Sequence, residues 1–243
     1  MTIKQGSVGT FEVCEDFLGG IGEVTWGAGV GVLGDLHYTS VNEGTFAITI
    51  DEPGGVIAVT TDTADNDNWF GFAGMFRPSD GPVWVETRIK VGNVATTQTA
   101  VNVGFYDILA KDTPVMMFEY ATATMTITGS GADGAVLMFD TDGTAITWRA
   151  ASVKAAVATG TANGFNTGKA PVDDRWDVVR VELEPTGLAR YILNGEVVQE
   201  TANAVTAATN YYAIVGIENR AAGGEVLEID YIKAGGSRDW DDA

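Results

Sequence analysis

Two pairs of acidic residues on β-prone runs set the chemical question for this chain. Glu228 and Asp230 flank Ile229, and Glu182 and Glu184 flank Leu183. Residues two apart in a strand share a face. Each pair would therefore aim both carboxyl groups at one groove, as acid and nucleophile of glycoside hydrolysis require. Neither run continues in that sense, since Tyr231, Ile232 and Lys233 follow the first pair and Pro185 ends the second. Both pairs are expected to be solvent-side acids of amphipathic strands.

Other reactive groups are sparse. Asp62, Asp65 and Asp67, with Asn66 and Asn68, make an oxygen-rich stretch before Trp69, and calcium takes oxygen ligands. The EF-hand spacing is absent because Phe70 occupies the position of its glycine, and Asp and Asn also form turns in their own right. Calcium is the only cofactor these residues suggest. His37 is the sole histidine, which excludes a multi-histidine zinc site and leaves a Ser-His-Asp triad without identifiable partners. It is expected in a loop. Cys14 stands alone without a basic sequence neighbour and reads as a small packed residue. A single cysteine precludes an intrachain disulfide and suits folding in a reducing cytoplasm. No Gly-x-x-x-x-Gly-Lys-[Ser/Thr] run exists. Among six tryptophans, Trp84 is the best sugar platform, because it shares a strand face with charged residues. Trp240, inside the acidic tail, is the other candidate contact aromatic. Trp69, Trp148 and Trp176 are expected in the core.

The elements that must position these groups are strands. In Val83–Val91, Val83, Val85, Ile89 and Val91 alternate with Trp84, Glu86, Arg88 and Lys90. Trp69 to Phe76 is apolar on both faces and predicts a central buried strand. Thr45–Ile50 and Val56–Thr61 predict a hairpin, and Asp142-Gly143 marks another. Asn194-Gly195 between two β-prone runs supplies the two positive-φ residues of a type I′ turn. That turn predicts Ile192 opposite Val197 and Tyr191 opposite Val198. Leu227, Ile229 and Tyr231 are expected on one face of the last strand. Only Ala150 to Ala158 suggests a short helix. The whole predicts a single all-β antiparallel sandwich over residues 11–235, an N-terminal arm and first strand over 1–20, and an acidic tail over 236–243.

Composition narrows the partners. The net charge of −19 over 243 residues, with no Lys/Arg cluster, argues against direct nucleic-acid binding. No apolar run is long enough to span a bilayer, and the first residues lack the apolar segment of a secretory signal. So much acid also predicts self-repulsion that salt relieves.

The run Trp176-x-x-Val179-x-Val181-x-Leu183, followed by Gly187-x-x-Arg190-Tyr191-x-x-Asn194-Gly195-x-x-Val198, resembles the concanavalin A-like (laminin G-like) jelly rolls. Glu228-Ile229-Asp230-Tyr231-Ile232 is similar to their final strand. Glu15-Asp16-Phe17 and Asp67-Asn68-Trp69-Phe70-Gly71 resemble virion proteins of tailed phages that share this fold. The fold's hydrolases carry Glu-x-Asp-x-Glu or Glu-x-Asp-x-x-Glu, which this chain lacks, so none of their catalytic residues transfers. The resemblance therefore implies a non-enzymatic virion protein that decorates or cements the outer capsid surface. Its partners would be the major capsid protein and further copies of itself, as in a trimer, assembled in the host cytoplasm. The alternatives are a carbohydrate-binding module on a virion or fibre, using Trp84 and the Asp65/Asp67 stretch, and a glycan hydrolase or lyase acting through Glu228 or Asp230.

Overall fold

The structure, a computed structural model, describes residues 9–18, 29–31, 38–41, 44–49, 54–62, 66–95, 98–108, 116–121, 123–127, 131–220 and 224–237. His37, Asp65, Trp240 and the acidic tail from residue 238 lie outside the described residues, as does the arm through residue 8.

In chain order the strands begin with β1 (Thr10–Glu15), β2 (Gly29–Gly31), β3 (Tyr38–Val41), β4 (Gly44–Ile48), β5 (Ile57–Thr61) and β6 (Asn66–Phe76). A 3-10 turn at Pro78–Asp80 precedes β7 (Val83–Val91), β8 (Thr99–Tyr106), β9 (Phe118–Ala121), β10 (Thr124–Ile127) and β11 (Gly134–Asp140). Then come β12 (Arg149–Lys154), β13 (Val157–Ala158), β14 (Phe165–Asn166) and β15 (Trp176–Leu183). The chain closes with β16 (Ala189–Leu193), β17 (Glu196–Thr201), β18 (Tyr211–Asn219) and β19 (Val226–Ser237).

These strands build a two-sheet antiparallel sandwich of the jelly-roll type. The first sheet runs β17-β16-β15-β7-β19-β5-β4, with β1 added along β19. The second runs β13-β12-β11-β8-β18-β6-β3-β2, with β14 beside β12, and β9 and β10 form a separate hairpin. Period-two alternation explains the packing. Val83, Val85, Ile89 and Val91 of β7 and Val179, Val181 and Leu183 of β15 turn inward. They share one core with Phe70, Phe72, Val103, Phe105 and Leu137 of the second sheet. Truncating such a phenylalanine to alanine costs about 3–5 kcal/mol.

In the middle of the second sheet, β8 and β11 are buried on both faces. Met117, Phe118, Tyr120 and Met125, on and beside the β9–β10 hairpin, pack over Trp69, Tyr106 and Met138 in a second apolar cluster. That cover is why β8 and β11 carry buried residues at every position. Trp69 lies flat over Gly216, where any side chain would collide with its ring.

Several expectations are corrected. Residues 150–158 form no helix; they are β12, a tight turn and β13. Ala155 and Ala156 take φ of 50° and 61°, as Asn194 and Gly195 take 52° and 81° at their own turn. The Ala155 and Ala156 N–H groups donate to the Asp133 carboxylate at 3.3 Å and the Ala132 carbonyl at 2.8 Å, so tertiary bonds override alanine's helix preference. In the Asn-Gly hairpin Ile192 does face Val197, but Tyr191 faces Gln199, because a bulge leaves Val198 without a direct partner. A second bulge, between Ile229 and Tyr231, turns Tyr231 to the outer face, where its hydroxyl donates to Glu86 at 2.9 Å. Trp69 and Trp148 are core residues. Trp176 is not: it stands half-buried on the outer face of the first sheet.

Candidate functional site

One row of side chains crosses the outer face of the first sheet. Glu12 on β1 faces Gly235 on β19, which faces Trp84 on β7. Trp84 faces Glu182 on β15, then come Arg190 on β16 and Glu200 on β17. The next row holds Cys14, Lys233, Glu86, Arg180, Ile192 and Val197. Pleating puts both rows on the same face.

Gly235 shapes the site. A methyl group there would come within 2.9 Å of Trp84 Cζ2 and 2.6 Å of the Phe11 carbonyl oxygen. The indole therefore leans across this glycine toward β1. Around it lies a groove of about 450 Å³, lined among others by Phe11, Glu12, Trp84, Arg180, Glu182 and Glu184. The Arg180 guanidinium stacks 4.4 Å from the centre of the indole. It also donates to Glu182 at 2.8 Å and reaches Glu86 at 3.4 Å. Arg190 bonds Glu200 at 2.7 Å and Glu182 at 3.0 Å, with Glu184 3.6 Å away. The guanidinium groups are thus held in a fixed ladder, while Glu12 makes no ion pair or hydrogen bond among the described residues.

The acids singled out from the sequence have different fates. Glu182 and Glu184 both reach the groove. Glu228 pairs with Lys90, and Asp230 pairs with Arg88 at 2.6 Å, so each is neutralised by its own cation on β7. Arg88 and Lys90 also cap Trp176, at 4.3 and 5.0 Å from its ring centre. Cys14 has a basic neighbour after all, Lys233 across the sheet. Burial pushes its thiol up, and Lys233 only partly opposes that shift.

Asp62 is exposed just after β5, whereas Asp67 is buried in β6 of the other sheet. Asp62 and Asp67 thus stand at different sheets, and no group of three metal-ligating side chains occurs among the described residues. Asp67 instead lies opposite Glu218 on the outer face of the second sheet. Glu218 also bonds Arg220 at 2.7 Å, and Arg220 bonds Asp140 at 2.5 Å with Glu119 3.8 Å away. One guanidinium cannot neutralise four carboxylates. Burial first, and the Asp67 charge second, push the Glu218 carboxyl up to about 10, despite the opposing pull of Arg220.

Sequence reasoning missed Glu12, Arg180 and Gly235 as neighbours of Trp84. Arg180 and Glu182 alternate on the polar side of β15, which was a usable signal. Glu12 and Gly235 join them only through the pairing of the first strand with the last.

No protein-family model matches the sequence, and no curated protein matches it. Solved structures share the fold. A protein of unknown function from Shewanella oneidensis MR-1 superposes with a TM-score of 0.58 at 14% identity, over 98% of this chain and 90% of that one. The carbohydrate recognition domain of Emp47p gives 0.54 at 14%, over 82% of this chain and 90% of the other. An endo-β-1,4-glucuronan lyase from the fungus Trichoderma reesei gives 0.54 at 11%, over 86% and 94%.

At these identities the likeness is one of fold: a lectin-type, concanavalin A-like sandwich. It also corrects the expectation of a protein without enzymatic activity. That expectation rested on an incomplete carboxylate spacing, and the spacing tests only one route of glycan cleavage. The same sandwich carries a lyase, so neither the fold nor the missing spacing speaks against catalysis.

Proposed function

We propose that this chain is a carbohydrate-binding jelly-roll domain whose ligand lies in the Trp84 groove. The observation that carries this reading is an indole at the centre of an open groove, edged by Arg180, Glu182 and Glu184. A sugar ring has an apolar C–H face and a hydroxylated edge. Stacking on the part of the indole that Arg180 leaves uncovered would bury the first, and fixed carboxylate and guanidinium groups would bond the second. The ion ladder matters because it holds those groups in place before the ligand arrives, which lowers the ordering cost of binding. The fold shared with the Emp47p carbohydrate recognition domain supports the reading. The outer surface of a virion is a setting that suits such a module, since a charge of −19 keeps it apart from packaged nucleic acid.

The test is a glycan array followed by calorimetry on the best ligands, with wild type and Trp84→Ala. Binding should weaken about tenfold or more in the variant, with the far-ultraviolet circular dichroism unchanged. The same mixtures are assayed for newly released sugar ends, so that turnover is read together with binding. Binding that survives Trp84→Ala intact would remove the groove from consideration.

A further inference from the structure

The charges around the groove specify the ligand more narrowly, on the premise that the Trp84 groove is the glycan site. Three carboxylates line it, Glu12, Glu182 and Glu184, against one guanidinium, Arg180. Arg180 is already committed to Glu182, Glu86 and the indole face. Nearby Arg190 is committed to Glu182 and Glu200. Among the described residues no cation that lines the groove stands free to receive a ligand carboxylate: Lys233, in the next row, is outside the lining and rests 4.2 Å from the centre of the Tyr231 ring, and the surrounding protein repels anions.

Glu12 has the opposite character. It is a half-buried carboxylate without an ion pair or hydrogen bond among the described residues, two strands from Trp84 with only Gly235 between. The indole leans over that glycine toward it. The ring also demonstrates its attraction for cations by holding Arg180. We infer that the groove selects an amino sugar, with the protonated ligand amine seated on Glu12 beside the Trp84 indole. The assignment runs against the uronate named for the glucuronan lyase that shares this fold.

Three oligosaccharides of equal length separate the alternatives by calorimetry: a glucosamine oligomer, its N-acetylated counterpart and a glucuronate oligomer. The glucosamine oligomer should bind at least tenfold more tightly than the glucuronate one. Glu12→Gln should erase most of that advantage, leaving the N-acetylated oligomer unaffected. Glu196→Gln controls for general attraction to an acidic protein, because Glu196 is an exposed acid on β17; it should change nothing.

Preference for glucuronate, or equal loss in Glu12→Gln and Glu196→Gln, overturns the amino-sugar assignment. If Trp84→Ala still abolishes binding in that event, the groove itself stands. If no oligomer binds, or binding ignores Trp84→Ala, both the groove and its selectivity fall.

Discussion

Replacing Glu218 by glutamine should stabilise the protein, and increasingly so as pH rises. The carboxyl is raised from 4.5 to about 10 by burial and by Asp67. Between those values the folded state holds a proton that the unfolded chain has released. Stability therefore falls as pH rises through this window, by about 1.4 kcal/mol per unit. At pH 7 the penalty is the distance from 4.5 to 7, about 3 kcal/mol. Any folded value above 7 gives the same result. Glutamine is neutral in both states, and its carbonyl can still accept the 2.7 Å bond from Arg220. The other carboxyl oxygen, Oε2, has no hydrogen-bond partner to lose. The variant should match wild type near pH 4 and exceed it by about 3 kcal/mol at pH 7, roughly 6–12 °C in Tm for a chain of this size. Urea unfolding from pH 4 to 9 at fixed ionic strength measures the difference. Parallel curves for the two proteins would refute the reasoning, because they would mean that Glu218 titrates alike in both states.

Four further outcomes are expected. Asn68→Leu should raise stability by about 1–3 kcal/mol in chemical denaturation, because Asn68 is fully buried opposite Ile217 with neither amide atom hydrogen-bonded. Replacing Ala155-Ala156 by Asn-Gly should stabilise by about 1–2 kcal/mol, since both alanines sit at positive φ; a drop in Tm would contradict this. Gly235→Ala should displace the indole, seen as a shift in tryptophan fluorescence, and weaken glycan binding without unfolding the sandwich. Melting temperature should rise between low and marine salt, because a charge of −19 is screened more strongly; an unchanged value would mean that self-repulsion is already relieved within the fold.

What was legible in the sequence was whatever depended on a single strand. The alternation of Val83–Val91 gave its inner and outer faces correctly, Trp84 included. Trp69 to Phe72 showed its double burial because both of its faces are apolar, whereas the same pattern failed further on at Met75, which is exposed. Asn194-Gly195 announced its turn because the residue types match the backbone it needs. Ala155-Ala156 hid the same turn, since alanine prefers helix and the bonds that overrule it come from Ala132 and Asp133. Trp176 looked like core because its cover, Arg88 and Lys90, belongs to another strand. Glu218 carries no local signal, since its raised carboxyl requires Asp67 brought opposite from far along the chain.

The groove depends on one local irregularity that the sequence does record. Along β19 the inward apolar residues are first odd-numbered, Leu227 and Ile229, and then even-numbered, Ile232 and Ala234. The bulge between Ile229 and Tyr231 makes that change of parity. Without it Gly235 would face the core, and Ala234 would lie beneath Trp84 with a methyl group where the indole now leans. Asp230, at the bulge, is held by Arg88 at 2.6 Å. This ion pair ties the bulge to β7, next to the register that places glycine beneath the indole and Glu12 beyond it. Asp230→Ala should then perturb Trp84 fluorescence from a distance, even though Asp230 does not line the groove. If the indole were indifferent to that change, the bulge would be maintained by the flanking apolar residues alone.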